Sequence, residues 1–341
     1  MTKAVLVGCG AITQEWFKSL ADVEDLELVG LVDLVEDNAR KRQAEYAPNA
    51  RVGTDLNEML TQTKPDIVFD CTVPAAHYSV VTTALEHGCH VLGEKPMADT
   101  LGQAYLMIEK AQEAGKLFVV MQNWRYTHNI RRLKTFLNTN PIGTLTGLNA
   151  DFYIGAHFGG FREEMAHVLL KDMAIHTFDA ARFLTEQAAT SVYATEWNPL
   201  NSWYARDAAA NAFFEMTGGV MFSYRGSWCA EGFRTPWESA WRIIGTKGTV
   251  LWDGDAVMRC EVSAVNSGDG LLREYETLPI PDYAEVTERP ERHEAVIRGF
   301  VESLKNGTTP ETVCTDNIKS LSMVYAAVES AEKGEKVSID A

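Results

Sequence analysis

Three groups of residues in this 341-residue chain have types and spacings that chemistry requires. The first is Lys95, in Gly93-Glu94-Lys95-Pro96, directly after the apolar run Cys89-His90-Val91-Leu92. Open α/β sheets gather their ligands at the carboxyl ends of strands, and an ammonium placed there can stabilise an oxygen on which charge develops. The second is Asp172 with His176, i and i+4 in an apolar-periodic stretch, which predicts that both project from one helical face. A carboxylate beside an imidazole raises its basicity and fixes its orientation, so this pair could act as a general base. The third is the glycine pair in Gly8-Cys9-Gly10, a turn of the kind that lets backbone approach a phosphate. Each also has an ordinary reading: solvated loop charges, a surface helix pair, a common turn. The elements that carry them decide between the two.

Lys3 to Val7 reads as a buried strand, Gly8-Cys9-Gly10-Ala11-Ile12-Thr13 follows it, and Ile12, Trp16, Phe17 and Leu20 then recur at helical spacing. Strand, glycine turn and helix in that order form the context in which G-x-G-x-x-G marks a dinucleotide site. Thr13 stands at the third glycine position, where its size would hold the helix off the strand or its hydroxyl would reach a phosphate. The next strand, Leu26 to Val32, ends at Asp33, 25 residues beyond Gly8. An acidic residue near that offset bonds the adenosine ribose hydroxyls and repels a 2′-phosphate, which favours NAD and leaves NADP possible. Asp33 could equally serve as a turn or cap residue. Arg40, Lys41 and Arg42 could serve a 2′-phosphate, but on the following helix they read as a solvated face.

Asp66 to Cys71 and Cys89 to Leu92 read as further strands, with a helix stopping at Gly88 between them. A helix from about Thr100 to Ala114 ends at Gly115, and Leu117 to Met121 makes another strand that leaves Gln122-Asn123-Trp124-Arg125-Tyr126 at its tip. Strands and helices alternating at this pace predict a parallel, doubly wound Rossmann sheet over residues 1–122.

Here the chain resembles a family. Gly8-Cys9-Gly10-Ala11-Ile12, Cys71-Thr72-Val73-Pro74-Ala75-Ala76-His77, Ala84-Leu85-Glu86-His87-Gly88-Cys89-His90-Val91, Glu94-Lys95-Pro96 and Asn123-Trp124-Arg125-Tyr126 together look like the glucose–fructose oxidoreductase/inositol dehydrogenase/MocA family. The D-x-x-x-H-x-x-D-x-x-R run at Asp172, His176, Asp179 and Arg182 is similar to the family's second catalytic element; Asp179 and Arg182 themselves read as a structural pair. The resemblance implies an NAD(P)-dependent oxidoreductase acting on CH-OH groups, with Lys95, Asp172 and His176 as the catalytic set. It also allows a cis bond at Lys95–Pro96. The cofactor contacts expected on this basis are Gly8, Gly10, Ala11, Ile12 and Asp33 in the first part of the fold, then Thr72, Pro74, His77, Glu94, Lys95 and Asn123. The substrate contacts expected are Lys95, Trp124, Arg125, His157, Arg162, Asp172 and His176. Before the second element, Met165-Ala166-His167-Val168-Leu169-Leu170 replaces the glycine-rich run of many relatives, which leaves the substrate open.

Residues 123–341 read as an α+β domain that binds substrate and makes oligomer contacts. Strand patterns run from Ser191 to Asp253, Gly218-Gly219 makes a hairpin turn, and helices cover Glu291 to Leu304 and Asn317 to Lys333. A mainly antiparallel open sheet covered by helices on one face accounts for this. Seven of the eight tryptophans lie beyond residue 122, where they would fill the sheet or a subunit interface, or line a carbohydrate pocket. An apolar open face predicts a homodimer or homotetramer.

Composition excludes other classes. The formal charge of −16 opposes phosphate backbones and anionic membranes, so no nucleic-acid or membrane partner is expected. No stretch approaches the ~20 apolar residues of a membrane span. The opening apolar run is too short for a signal-peptide core. Six scattered cysteines without a C-x-x-C pair predict reduced thiols in the cytoplasm and no metal site. The expected reaction is therefore oxidation of a secondary hydroxyl on a sugar, sugar acid or cyclitol. The same fold also supports glycoside hydrolysis with retained NAD, or a non-catalytic NAD-binding regulator, although a regulator has no need of Lys95, Asp172 and His176.

Overall fold

The computed structural model describes residues 1–21, 23–264 and 271–339. They form two units, Met1–Asn123 with Pro290–Ile318, and Trp124–Arg289 with Lys319–Ala341.

In the first unit, β1 (Thr2–Val7), β2 (Leu26–Val32), β3 (Arg51–Gly53), β4 (Ile67–Asp70), β5 (His90–Gly93) and β6 (Phe118–Val120) form one parallel sheet in the order β3-β2-β1-β4-β5-β6. This is the doubly wound Rossmann order, whose strand sequence reverses direction at β1. Strands buried on both faces read as continuous apolar runs, and all four residues of β4 are buried. Only β3, three residues long and opened by an arginine, has too little pattern to be read from sequence. The helices start and stop on local chemistry. Thr100 caps Leu101–Ala114 by accepting the Gln103 N–H, and Gly115 closes it at φ +61°. The segment Pro290–Ile318 joins this unit from the far end of the chain, which a reading of consecutive elements cannot assign. Its helix Arg292–Asn306 buries Val296, Ile297 and Phe300 and packs on the helix Thr13–Leu20. The Thr312 hydroxyl then donates to the Val120 carbonyl over 2.7 Å.

In the second unit, β7 (Leu145–Tyr153), β8 (Ala189–Trp197), β9 (Ala209–Met216), β10 (Met221–Ser227), β11 (Ala240–Gly245), β12 (Gly248–Trp252), β13 (Met258–Ser263), β14 (Tyr275–Leu278) and β15 (Val337–Ser338) form a mixed sheet. Its order is β14-β13-β12-β11-β7-β10-β9-β8-β15. Every pairing is antiparallel except β7 with β10. Period-two alternation sends Phe214, Phe222 and Tyr224 inward, where the Phe178 ring of the helix Ile175–Thr185 meets all three. The other face carries Tyr193 and Phe213, paired across β8 and β9, and a forked Arg225–Asp151 bridge. Trp228, Trp241 and Trp252 are fully or nearly fully buried, so part of the tryptophan cluster is core, as the bland reading held.

Candidate functional site

The glycine turn leaves β1 at Gly8, whose φ of +84° few other residues adopt without strain. A Cβ there would also lie 2.8 Å from the backbone of Cys71 at the exit of β4, so the turn needs glycine for both reasons. Gly10 differs: a Cβ built on it meets nothing within 4 Å, and the residue faces open space. That space is a cavity of about 520 Å³ walled by Gly8, Gly10, Asp33, Thr72 and Val73, with Thr54 to Asn57 opposite. It lies at the carboxyl edge of the sheet, as the switch-point rule requires. Asp33 is fixed in its wall, one carboxylate oxygen accepting the Cys9 N–H over 2.7 Å and the other the Val35 N–H over 2.8 Å. Open backbone at Gly10, a helix N-terminus and an anchored acid on the ribose side are what a dinucleotide needs, so these residues fit NAD.

Two expectations about this loop change. Thr13 is fully buried and its hydroxyl donates to the Gly10 carbonyl over 2.6 Å, so it closes its own turn and is not available to a phosphate. Arg42 does not belong to a solvated face. It is 6% exposed, and its guanidinium donates to the same Gly10 carbonyl over 3.1 Å while pairing with Glu45. Arg40 is exposed and pairs with Glu36.

Among the other expected cofactor contacts, Thr72 lines the cavity, whereas Ala11, Ile12 and Pro74 do not. Ala11 and Ile12 continue the turn, and Pro74 is the first residue of the helix Pro74–Glu86, where a missing N–H costs nothing. His77 lies in the interior at 1% exposure, away from the cavity wall. Its Nδ1 bonds the buried Asp70 carboxylate over 2.8 Å, and the other Asp70 oxygen accepts both the amide and the hydroxyl of Thr72. Burial opposes a charge on His77, but Asp70, with smaller help from Glu94 and Asp99, raises its pKa nonetheless. His77 thus acts on the cavity through Asp70 and Thr72.

Beyond β5, the Lys95–Pro96 peptide is cis. Glu94 is 9% exposed, and its carboxylate folds back to accept the Lys95 N–H over 3.2 Å and the Trp16 indole N–H over 2.7 Å. His293 approaches the same carboxylate at 3.7 Å through Nε2, and its Nδ1 lies 3.2 Å from the Asn123 side-chain nitrogen. Burial is the largest influence on Glu94 and opposes its ionisation, yet His293, Trp16 and Lys95 together hold its pKa below the ordinary value. Glu94 and Asn123 therefore belong to a buried polar cluster within the first unit. His293 was missed by sequence reasoning, since nothing local links it to residues 170 or more positions away.

In the second unit, Asp172 and His176 do not share an ordinary helix. Leu169–Ala174 is a π-helical run that passes into the α-helix Ile175–Thr185. A π turn bonds i to i+5, so four residues do not complete it and the simple same-face argument fails; such turns concentrate at functional sites. Asp172 accepts from Arg162 Nε over 2.9 Å, and His176 is 5% exposed with its ring stacked on Trp124, centroids 4.4 Å apart. Arg162, Asp172, Trp124 and His176 are thus tied together pairwise by this unit. Arg125 is not a solvent-facing binding group. It is 5% exposed and grips the buried Asp179 carboxylate with Nε at 2.8 Å and a terminal nitrogen at 2.5 Å. Ser320 also donates to Asp179, and Arg182 reaches it mainly through Ser320. The structural pair foreseen as Asp179–Arg182 is therefore centred on Arg125. His157 is exposed, stacked on Trp203 with centroids 3.6 Å apart, and bonded to Glu231.

All six cysteines are buried and unpaired, and burial pushes the thiol of Cys9 up to about 12 and those of Cys89 and Cys314 to about 11, which leaves them protonated. Among the described residues no three His, Cys, Asp or Glu side chains group to hold a metal, and no helix is long and apolar enough to cross a membrane.

The chain also matches known proteins over nearly its whole length. Residues 2–122 match an oxidoreductase family with an NAD-binding Rossmann fold, and residues 130–251 match the GFO/IDH/MocA C-terminal domain. It is 27% identical to a D-apiose dehydrogenase of Paraburkholderia graminis, over 99% of this chain and 89% of that one. It is 25% identical to the scyllo-inositol 2-dehydrogenase (NADP(+)) IolU of Bacillus subtilis, over 83% and 84% of the two chains. Its fold superposes on an Agrobacterium radiobacter oxidoreductase solved with NAD+, L-tartaric acid and magnesium, with TM-score 0.86 and 22% identity over 99% and 98% of the chains. With both halves matched and a dinucleotide site built at the switch point of its first sheet, this chain belongs to the Gfo/Idh/MocA family of NAD(P)-dependent oxidoreductases.

Proposed function

We propose that the protein oxidises a secondary hydroxyl of a sugar, sugar acid or cyclitol, using Lys95, Asp172 and His176. NAD, when bound, supplies the hydride acceptor. Gly8 and Gly10 bring backbone close to its pyrophosphate, and Asp33 takes the ribose hydroxyls. Asp33 also disfavours a 2′-phosphate, and Arg42, buried beneath the turn, is not placed to offset that, so NAD is preferred to NADP. Lys95 donates a hydrogen bond to the substrate oxygen and favours its alkoxide character, while His176 accepts the hydroxyl proton. Asp172, held by Arg162, orients His176 or anchors a neighbouring hydroxyl. Arg162, His157 and Trp124 supply further substrate contacts, the aromatic faces suiting the C–H faces of a sugar.

The observation that carries this reading is the position of Lys95 at the exit of β5, on the same sheet edge that walls the dinucleotide cavity. The experiment is a panel of polyols, aldoses and sugar acids, scored for reduction of NAD and NADP separately, with Lys95→Ala beside the native protein. Turnover should fall by at least about a hundredfold in Lys95→Ala, the scale of a lost transition-state donor, with NAD affinity within a few-fold. Unchanged turnover sinks the assignment. The exposed face bearing Tyr193 and Phe213 is the proposed surface of a homodimer or homotetramer, and a monomeric mass by light scattering excludes it.

A further inference from the structure

We propose that His293, supplied by the returning segment Pro290–Ile318, is a positioning residue for Lys95. The inference rests on the reading of Lys95 given above. Glu94 and Lys95 are consecutive, and the Glu94 carboxylate accepts the Lys95 backbone N–H, so whatever fixes that carboxylate fixes the stem from which Lys95 rises. Three segments converge on it: the helix after the glycine turn through Trp16, the exit of β6 through Asn123, and the helix Arg292–Asn306 through His293. The Asn123 amide nitrogen faces Nδ1 of the imidazole and so donates to it, which places the ring proton on Nε2, facing Glu94. Asn123 thereby selects the tautomer that can hold the carboxylate.

The remainder of the helix does not need this imidazole in order to dock. Val296, Ile297 and Phe300 bury its inner face, while His293 stands at its second position with a side chain 16% exposed. A residue kept only for packing would be an apolar one here. Without His293 the Glu94 carboxylate, pinned in a nearly dry site, loses one of its donors and is freed to turn, carrying the Lys95 stem with it.

The test uses the full-length protein with NAD and the best substrate of the panel, in three variants. In His293→Leu, kcat should fall about ten- to hundredfold, the effect of one hydrogen bond to a charged group, while the Kd for NAD by calorimetry stays within about threefold. His293→Gln can place an amide nitrogen where Nε2 lies, and should recover kcat to within about threefold of native. His293→Asn reaches only the Nδ1 position and should remain as impaired as the leucine variant. Long-range 15N correlation spectra of histidine-labelled protein should show one neutral ring with its proton on Nε2 that disappears in all three variants. The proposal is overturned if His293→Leu keeps kcat within about twofold of native, if all three variants lose turnover equally, or if the loss lies in NAD affinity. Should the leucine variant fail to fold, the contrast between Gln and Asn decides. Turnover retained in Lys95→Ala would remove the underlying reading, whereas loss there without loss in His293→Leu removes only this inference.

Discussion

Arg125 offers the sharpest separation of a structural role from a binding role, because sequence and structure point different ways. Its guanidinium is 5% exposed and forked on Asp179, itself fully buried and bonded by Ser320 as well. Replacing Arg125 with methionine keeps most of its volume but leaves the Asp179 carboxylate in the interior with Ser320 and the more distant Arg182. Removing one partner of a buried ion pair costs about 3–5 kcal/mol, since the remaining charge stays desolvated. For a unit of this size each kcal/mol moves the melting midpoint by roughly 2–4 °C, so Arg125→Met should lower it by about 6–20 °C. Substituting both members, as Arg125→Met with Asp179→Leu, removes the stranded charge and should recover most of that loss, because apolar replacements of buried ion pairs are often neutral. Scanning calorimetry and urea unfolding of the native, single and double variants measure this, with kcat/KM recorded in parallel below the lowest midpoint. A single variant of native stability whose kcat/KM has collapsed would refute the structural role and return Arg125 to the substrate site. Failure of the double variant to recover would show that the loss is one of packing rather than of charge.

Two further outcomes follow from the first unit. Asp33→Ser removes the charge that disfavours a 2′-phosphate while keeping a short hydrogen-bonding side chain, and should shift the ratio of NADP to NAD efficiencies upward by roughly tenfold, about 1.4 kcal/mol; an unchanged ratio would mean Asp33 does not set the preference. His77 predicts a pH dependence of stability. Its folded pKa is raised, the opposition of burial being outweighed by Asp70, so its contribution is complete below the unfolded value near 6.5 and is lost as pH rises through the folded value. Denaturation midpoints measured from pH 5 to 9 should show that downward step in the native protein and not in His77→Asn; the same slope in both excludes His77 as its source.

How much of this was legible in the sequence depends on how far apart the interacting residues lie. The doubly wound order could be read because parallel strands buried on both faces leave continuous apolar runs, each punctuated by its own helix and glycine. The turn at Gly8, its open partner Gly10 and the acid at Asp33 were legible for the same reason, since one strand-turn-helix unit contains the demand that selects them. Lys95 could be placed at a strand end, and Asp172 and His176 on a helical stretch. What sequence periodicity could not show was that this stretch opens as a π turn, because apolar spacing alone does not say which carbonyl each amide takes.

Burial decided the rest. Arg42, His77 and Arg125 each read as polar groups available to a ligand, and each is spent on an interior partner: the Gly10 carbonyl, Asp70 and Asp179. A charged side chain in a sequence is compatible with solvent, ligand or ion pair, and only the tertiary environment chooses among them through the cost of desolvation. His293 shows the same limit in reverse. The local pattern around it marks a helix and nothing more, while the fold returns that helix to the first unit and sets its imidazole against Glu94 and Asn123. The sequence by itself therefore determined the kind of chemistry, because turn, strand end and acid–base residues are locally encoded. Which polar groups remain free to perform it was decided by long-range packing, which no local pattern records.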